Sequence, residues 1–282
     1  MKIAENEDEL RRTLAGAPLP HVLVPTMGAF HPGHVSLMHR AREIAGASGT
    51  VIVSIFVNPI QFDRVADLDA YPRPMASDLA VCEVAGVDIV FIPAADSMYF
   101  SDRSVTVTEN LLSRGLCGAS RPGHFDGVCT VVLKLFLLTR CDVSIFGEKD
   151  FQQLAVIQRM VRDLDVPVEI IPCPTVRESD GLAMSSRNIR LTPAQRTDAP
   201  RIYQALLEAG QLPTPAEILA SARAGIEASP LARIDYLSLV DAETLQPVSG
   251  FQRPSILAAA VFYGDVRLID HVSISAHTEP LG

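Results

Sequence analysis

The chain has 282 residues, of which 48% are hydrophobic and 20% charged, and a formal net charge of −9. That is the composition of an ordinary globular protein with a sizeable core. The acidic balance argues against a broad nucleic-acid or anionic-membrane surface, so an anionic ligand would need a local basic cluster.

In chain order, the acidic stretch Met1 to Asp8 shows no apolar h-region, so no secretory signal is expected. An apolar run, His21 to Val24, leads into Pro25-Thr26-Met27-Gly28-Ala29-Phe30-His31-Pro32-Gly33-His34. Leu37, Met38, Ala41, Ile44 and Ala45 then recur at helical spacing. Two histidines and two glycines therefore sit where a strand turns into a helix. Unpaired N–H groups at a helix start attract anions, glycine permits close backbone approach, and imidazoles add donors. The combination predicts a phosphate site. The glycine spacing matches a Walker A loop, but His34 and Val35 stand where lysine and Ser/Thr belong, which argues against a P-loop NTPase. Two other readings stay open: histidines that only cap the helix, and a metal shared by His31 and His34. No HExxH or Cys/His set supports the metal.

Val51 to Val57 reads as a buried parallel strand, Met75 to Ala85 as a helix and Val87 to Ile92 as a strand. Gly127 to Leu138 is apolar nearly all round and predicts a buried helix. The longest apolar stretch, Val128 to Thr139, is interrupted by Lys134 and is too short to span a bilayer. Val143 to Phe146 is a strand, Leu154, Ile157, Val161 and Leu164 mark an amphipathic helix, and Val168 to Ile171 closes the series. This alternation predicts an α/β, Rossmann-like, doubly wound parallel sheet, with ligands outside the C-terminal strand ends. Three polar clusters fall there: His31 to His34, Asn58 to Phe62 and Gly147 to Asp150. Pro172 to Asn188 reads as a connector. A helix at 216–228 and strands at 234–240, 255–263 and 267–274 then predict a smaller α+β domain. The expected domains are 1–175 and 176–282.

Five scattered cysteines, Cys82, Cys117, Cys129, Cys141 and Cys173, include no C-x-x-C pair. They fit core positions in a reducing compartment better than a disulfide frame or zinc site, and a cytoplasmic location is the default expectation.

Phe146-Gly147-Glu148-Lys149-Asp150-Phe151-Gln152-Gln153 offers a lysine suited to a phosphate and an aspartate placed as an N-cap; the plainer reading is a solvated lysine. Arg177 to Asn188 brings two hydroxyls and a guanidinium, Ser185-Ser186-Arg187, either onto phosphate oxygens or onto a polar linker. Gln61, at a strand end, would hold a substrate carboxylate or hydroxyl, or satisfy backbone instead. Tyr71-Pro72-Arg73 and Arg121-Pro122-Gly123-His124-Phe125 are weaker signals. No G-x-S-x-G appears, no G-x-G-x-x-G follows the first strand, and no covalent nucleophile stands beside an obvious base.

Six ordered segments, PTMGAFHPGH, FVNPIQF, DLDAYPR, RPGHFDGV, FGEKDFQQL and RESDGLAMSSRN, span Pro25 to Asn188. Together they closely resemble the pantothenate synthetases (pantoate–β-alanine ligases), a family of nucleotidyltransferase type whose HIGH signature is here His31-Pro32-Gly33-His34. The resemblance implies ATP-dependent condensation of pantoate with β-alanine to pantothenate, AMP and diphosphate through pantoyl adenylate. It implies ATP contacts from Met27, Gly28, Ala29, Phe30, His31, Pro32, Gly33, His34, Gly147, Glu148, Lys149, Asp150, Val176, Met184, Ser185, Ser186 and Arg187. His31, His34, Lys149, Ser185, Ser186 and Arg187 would carry the chemistry, with His34 matching the family's proton donor. Gln61 and Gln153 would hold pantoate, Tyr71 and Arg121 would lie around the opening, and Asp78 would lie near Mg²⁺. A cytoplasmic homodimer with a nucleotide- and pantoate-binding first domain and a C-terminal lid is also implied, with neither nucleic acid nor membrane as partner. Departures are Phe30 for leucine, Arg190 for tyrosine, Val266 for threonine and His271 for asparagine. The rival readings are a nucleotidylyltransferase acting on a phosphate-bearing substrate and a regulatory module that binds ATP without consuming it.

Overall fold

The structure, a computed structural model, describes residues 1–63 and 65–276. Six segments form one parallel sheet: β1 (Lys2–Ala4), β2 (His21–Thr26), β3 (Thr50–Ile55), β4 (Ile89–Phe91), β5 (Val143–Gly147) and β6 (Glu169–Cys173). Their order is β1-β4-β3-β2-β5-β6. β2 pairs with β3 from His21↔Thr50 to Thr26↔Ile55, and with β5 at Val22↔Val143 and Leu23↔Ser144.

Val22, Leu23, Val24 and Val51, Ile52, Val53 are all fully buried. A strand covered on both faces needs no polar alternation, which is why these runs are continuously apolar. Val22 and Val24 share a cluster with Met38, Ala41 and Ala45 of the Pro32–Ala45 helix and with Cys82 and Ala85 around the Met75–Val84 helix. Leu23, between them, takes the opposite face. The His124–Thr139 helix packs against β2 and against the Glu7–Leu14 helix.

From β2 the chain steps to β3 and β4 on one side, then crosses back to lay β5 and β6 on the other. The switch in direction falls between β2 and β5, and the crevice at such a point takes ligands at the carboxyl ends of its strands. β1 is not among the predicted strands, because three residues are too few for a periodic signal. β6 runs on through Pro172, which an edge strand tolerates because a missing N–H breaks no ladder bond on its open side.

The chain divides into two compact units, one of Met1–Ser113, Ser120–Glu148 and Gln153–Pro174, the other of Arg114–Ala119, Lys149–Gln152 and Thr175 onward. In the second unit, β7 (Ala232–Asp241), β8 (Ser255–Tyr263) and β9 (Val266–Ile274) form an antiparallel sheet. Leu257, Ala259, Val261 and Tyr263 alternate onto one face of β8. They pack with Ile202, Leu206 and Ala209 of the Arg201–Ala209 helix and with Ile218, Ala222 and Ile226 of the Pro215–Glu227 helix. The two helices cross so closely that a Cβ at Gly225 would lie 2.8 Å from the Ala205 Cβ. The segments 114–119 and 149–152 are tied to each other inside this unit: Cys117 N–H donates to Gln152 Oε1 (2.9 Å), and Gln152 Nε2 donates to Gly115 O (2.8 Å). Gln152 is thus a buried structural amide. No helix among the described residues is long and apolar enough to cross a membrane.

Candidate active site

The first unit carries its polar clusters at the ends of three neighbouring strands, β3, β2 and β5. After β2 the chain turns through Gly28 (φ 81°) and Ala29 (φ 54°), and His31 caps the Pro32–Ala45 helix. Glycine adopts positive φ without penalty, whereas Ala29 in the left-handed region costs about 1–2 kcal/mol, which neighbouring contacts must offset. His31 Nδ1 accepts the Gly33 N–H (3.2 Å), and His34 Nδ1 accepts the His31 N–H (3.4 Å), a reciprocal capping box built from two imidazoles. Pro32 at the first helical position supplies a pre-set φ and lacks the N–H that would be unpaired there. The two rings meet at a 45° tilt with 4.1 Å between centroids, and Phe30 lies 5.3 Å from the His34 ring.

This changes the basis of the phosphate reading. Gly28 N–H donates to Thr26 Oγ1, Ala29 and Phe30 N–H donate to the Asp78 carboxylate, and His34 N–H donates to His31 O. Every backbone N–H from Gly28 to His34 therefore has a partner within the chain. The expected cradle of unpaired N–H groups is absent from the turn, and its remaining donor chemistry lies in the imidazoles. An Nδ1 that accepts a hydrogen bond offers no proton there, so the donor each ring can offer is its Nε2–H. The capping reading is right as geometry, and it orients the rings rather than competing with a ligand role.

Gln61 closes a 3-10 turn, Pro59–Gln61, beyond β3 and is 9% exposed. Its Oε1 accepts from Asn58 Nδ2 (2.9 Å), and Asn58 Nδ2 also donates to Gly127 O (3.1 Å). A backbone carbonyl only accepts, so the amine side of Asn58 must face it. Tyr99 O–H then donates to Asn58 Oδ1 (2.8 Å), and burial pushes the Tyr99 hydroxyl above the ordinary tyrosine range, keeping it protonated. The relay leaves Gln61 Nε2 to donate to Met27 Sδ at 3.3 Å. Gly127 has no room for a side chain, since a Cβ there would lie 2.5 Å from Ile60 O. Gln61's own carbonyl accepts from His124 Nδ1 (2.8 Å) and from Arg121 (3.3 Å), and Arg121 also pairs with Asp63 (3.2 Å). Arg121 thus braces the Gln61 backbone. Tyr71 packs edge-on against Phe62 at 6.0 Å.

Asp78 does not fit a magnesium ligand, which corrects the sequence expectation. The side chain is buried at 2% exposure, and its two oxygens accept the Ala29 and Phe30 N–H groups at 2.7 and 2.9 Å. Among the described residues, no group of three or more His, Cys, Asp or Glu could hold a metal ion.

Gly147 ends β5, Glu148–Asp150 make a 3-10 turn, and Gln153 stands half-buried in the first turn of the Phe151–Asp163 helix. In the second unit, Lys149 Nζ lies 3.5 Å from Asp150 Oδ2. There, too, residues 176–188 form a braced hairpin rather than a bare linker. Met184 N–H donates to Val176 O (3.0 Å), Arg177 and Ala183 are bridged, and Gly181 (φ 95°) makes the bend. Ser185 Oγ accepts the Arg187 N–H (3.3 Å), which shapes the Ser185-Ser186-Arg187 turn. Asn188 Nδ2 ties that turn to Ala183 O and Glu178 (3.1 Å each). Arg177 grips Asp270 with two bonds (2.7 and 2.8 Å) and stacks over Tyr203 at 3.4 Å. Arg196 bridges Glu178 (2.5 Å) and Asp180 (2.6 Å). Tyr99, Arg196 and Asp270 carry no motif signal; only the folded chain brings them to these groups.

A parallel sheet whose switch point presents an imidazole-capped helix has the layout of a Rossmann-like α/β enzyme. The sequence model of the pantoate-β-alanine ligase family matches residues 2–273, and the chain belongs to that family. It is 55% identical over 257 residues to pantothenate synthetase of Akkermansia muciniphila, covering 90% of this chain and 92% of that one. The crystal structure of pantothenate synthetase from Thermus thermophilus superposes with a TM-score of 0.89 at 42% identity, covering 98% of this chain and all of that one. The pantoate-β-alanine ligase of Francisella tularensis, solved with β,γ-ATP and β-alanine, gives 0.81 at 33% identity over 96% of this chain and 97% of its own.

Proposed function

We infer that this chain is an enzyme that joins pantoate to β-alanine with consumption of ATP, releasing pantothenate, AMP and diphosphate. The observation that carries the reading is the imidazole capping box of His31 and His34 at the β2–β5 switch point, on a chain that matches the ligase family nearly end to end.

In the first step the pantoate carboxylate attacks the α-phosphorus of ATP and diphosphate leaves, giving pantoyl adenylate. Charge accumulates on the phosphate oxygens, and donors aimed there lower the barrier. We assign His31 and His34 as Nε2–H donors, Lys149 and Arg187 as cations, and Ser185 and Ser186 as hydroxyl donors to those oxygens. His34 on this reading holds phosphate oxygens. Met27 to Phe30, Pro32, Gly33, Gly147, Glu148, Asp150, Val176 and Met184 are assigned to ATP by shape. Gln61, with its amine end toward Met27, suits a carboxylate or hydroxyl acceptor on pantoate, and Gln153 is assigned beside it. Tyr71 and Arg121 are assigned to the opening, where Arg121 acts through the Gln61 turn. In the second step the β-alanine amine attacks the acyl carbon, AMP departs with the C–O bond electrons, and the amine loses a proton. No covalent nucleophile is required. Magnesium, which the resemblance implies, is assigned to no side chain. A cytoplasmic homodimer is the expected state, and sedimentation velocity checks its oligomeric part.

The test is AMP release from the full chain with ATP, Mg²⁺ and pantoate, with and without β-alanine. AMP and pantothenate should appear in equal amounts only when the amine is present. A stable adenylylated product would favour a nucleotidylyltransferase, and ATP binding without turnover would favour a regulatory module.

A further inference from the structure

Asp78 lies 48 residues from the turn it touches, in the first turn of the Met75–Val84 helix. A carboxylate is favoured there by the helix dipole, but burying one is costly unless its lone pairs are used. Oδ2 and Oδ1 accept the consecutive N–H groups of Ala29 and Phe30 at 2.7 and 2.9 Å. Only a group with two acceptor oxygens can do this; an amide would turn its NH₂ toward one of the two N–H donors. The fit is close on the other side as well, since a Cβ at Gly28 would stand 2.8 Å from Asp78 Oδ2 and 3.0 Å from Ile55 Cγ2. Octahedral magnesium keeps several of its waters, which a carboxylate at 2% exposure cannot accommodate.

We propose that Asp78 is a positioning residue: its carboxylate locks the Gly28-Ala29-Phe30 turn, holds Ala29 left-handed, and so sets the entry of the helix that presents His31 and His34 to the nucleotide. The same two bonds remove the Ala29 and Phe30 N–H groups from phosphate binding and leave that task to the imidazoles. The proposal rests on the ATP-dependent reaction inferred above. A wild-type chain that releases no AMP defeats that reading alone, because amide exchange reads Asp78 without catalysis.

The experiment compares wild type and Asp78→Asn as full chains in the AMP-release assay, varying ATP, β-alanine and Mg²⁺ separately. In the variant kcat/KM for ATP should fall at least ten-fold, on the order expected when a catalytic group is misplaced. The KM for β-alanine and the half-saturating Mg²⁺ should stay within about two-fold, since neither depends on the turn in the way ATP does. A ten-fold higher Mg²⁺ requirement, with activity recovered by excess Mg²⁺, overturns the proposal in favour of a metal ligand. An unchanged kcat/KM for ATP, or a uniform loss in all substrates with the near-UV dichroism retained, also overturns it. Should the variant fail to fold, amide exchange on the wild-type chain decides. Ala29 and Phe30 should be protected at least a hundred-fold relative to an open loop, and exchange at the open-loop rate overturns the proposal.

Discussion

The His31–His34 turn and the Ser185–Arg187 turn are assigned to the same phosphates, yet they are held in opposite ways. The first is fixed from beneath by a buried carboxylate and by its own rings, with every backbone N–H from Gly28 to His34 spent internally. The second is held at its base by ion pairs: Arg177–Asp270, largely buried, and the pairs among Arg196, Glu178 and Asp180, whose side chains are 30–41% exposed. Buried hydrogen bonds to a charged group are worth about 1.5–3 kcal/mol each, whereas exposed pairs contribute about 0–1 kcal/mol and weaken with salt. The first turn is thus preorganised within its own unit, and the second is more open to solvent and salt.

The largest effects are expected at the groups that meet charge. His34→Ala and Lys149→Ala should each lower kcat by roughly 10²–10³-fold, the scale of a lost transition-state donor, with the folded state retained. Near-wild-type turnover in either, measured as AMP release, removes that residue from the chemistry. Next in size is Tyr99→Phe, which leaves the buried Asn58 Oδ1 without its hydroxyl donor and so loosens the relay to Gln61. One lost buried hydrogen bond of about 1 kcal/mol should raise the pantoate KM by roughly five- to ten-fold. The ATP KM should not move, and if both constants rise together the relay is not specific to the pantoate end.

Arg196→Ala sharpens the other side of the comparison. It should cost about 1 kcal/mol or less in stability and only about three-fold in kcat/KM for ATP. Raising ionic strength on wild type should reproduce part of the loss. An effect as large as that of His34→Ala would show that the second turn is as rigidly held as the first.

The smallest effect expected is at His271, which packs on Phe151 at 5.3 Å. Burial pushes its pKa below the ordinary 6.5; Arg177 and Lys149 add to this, while Asp270 and Asp150 oppose it. The folded chain therefore resists the proton that the unfolded chain accepts, and stability contributed above about pH 6.5 is lost as pH falls below it. His271→Asn should flatten that acid decline in urea melts at successive pH values, and identical slopes would show that His271 does not contribute.

The parts of this architecture that repeat at short range are legible in the sequence. β8 occupies Ser255–Tyr263, the predicted span, because nine apolar and small residues bounded by Pro254 and Gly264 permit little else. The His31–His34 motif announces a strand-to-helix turn through Pro32 and the glycines. Helices with few apolar residues are harder to read: Glu7–Leu14 buries only Leu10, though its Asn6 cap accepts from Glu9 N–H and is a recognisable signal. The contacts that give the motif its geometry are out of reach, because Asp78 meets Phe30 across 48 residues and Tyr99 meets Asn58 across 41. The expectation of unpaired turn amides fails for that reason.

The five cysteines are all buried, and none is in a disulfide. Burial pushes the thiols of Cys82, Cys129 and Cys141 up to about 12. Alkylating reagents attack thiolates, and at neutral pH such a thiol is ionised in roughly one molecule in 10⁵. The native chain is thus silent toward maleimide or iodoacetamide at these three positions, while an opened chain is labelled at once. Covalent mass increments at Cys82 and Cys129 would count openings around the first unit's sheet directly, giving this enzyme a built-in clock for its own unfolding.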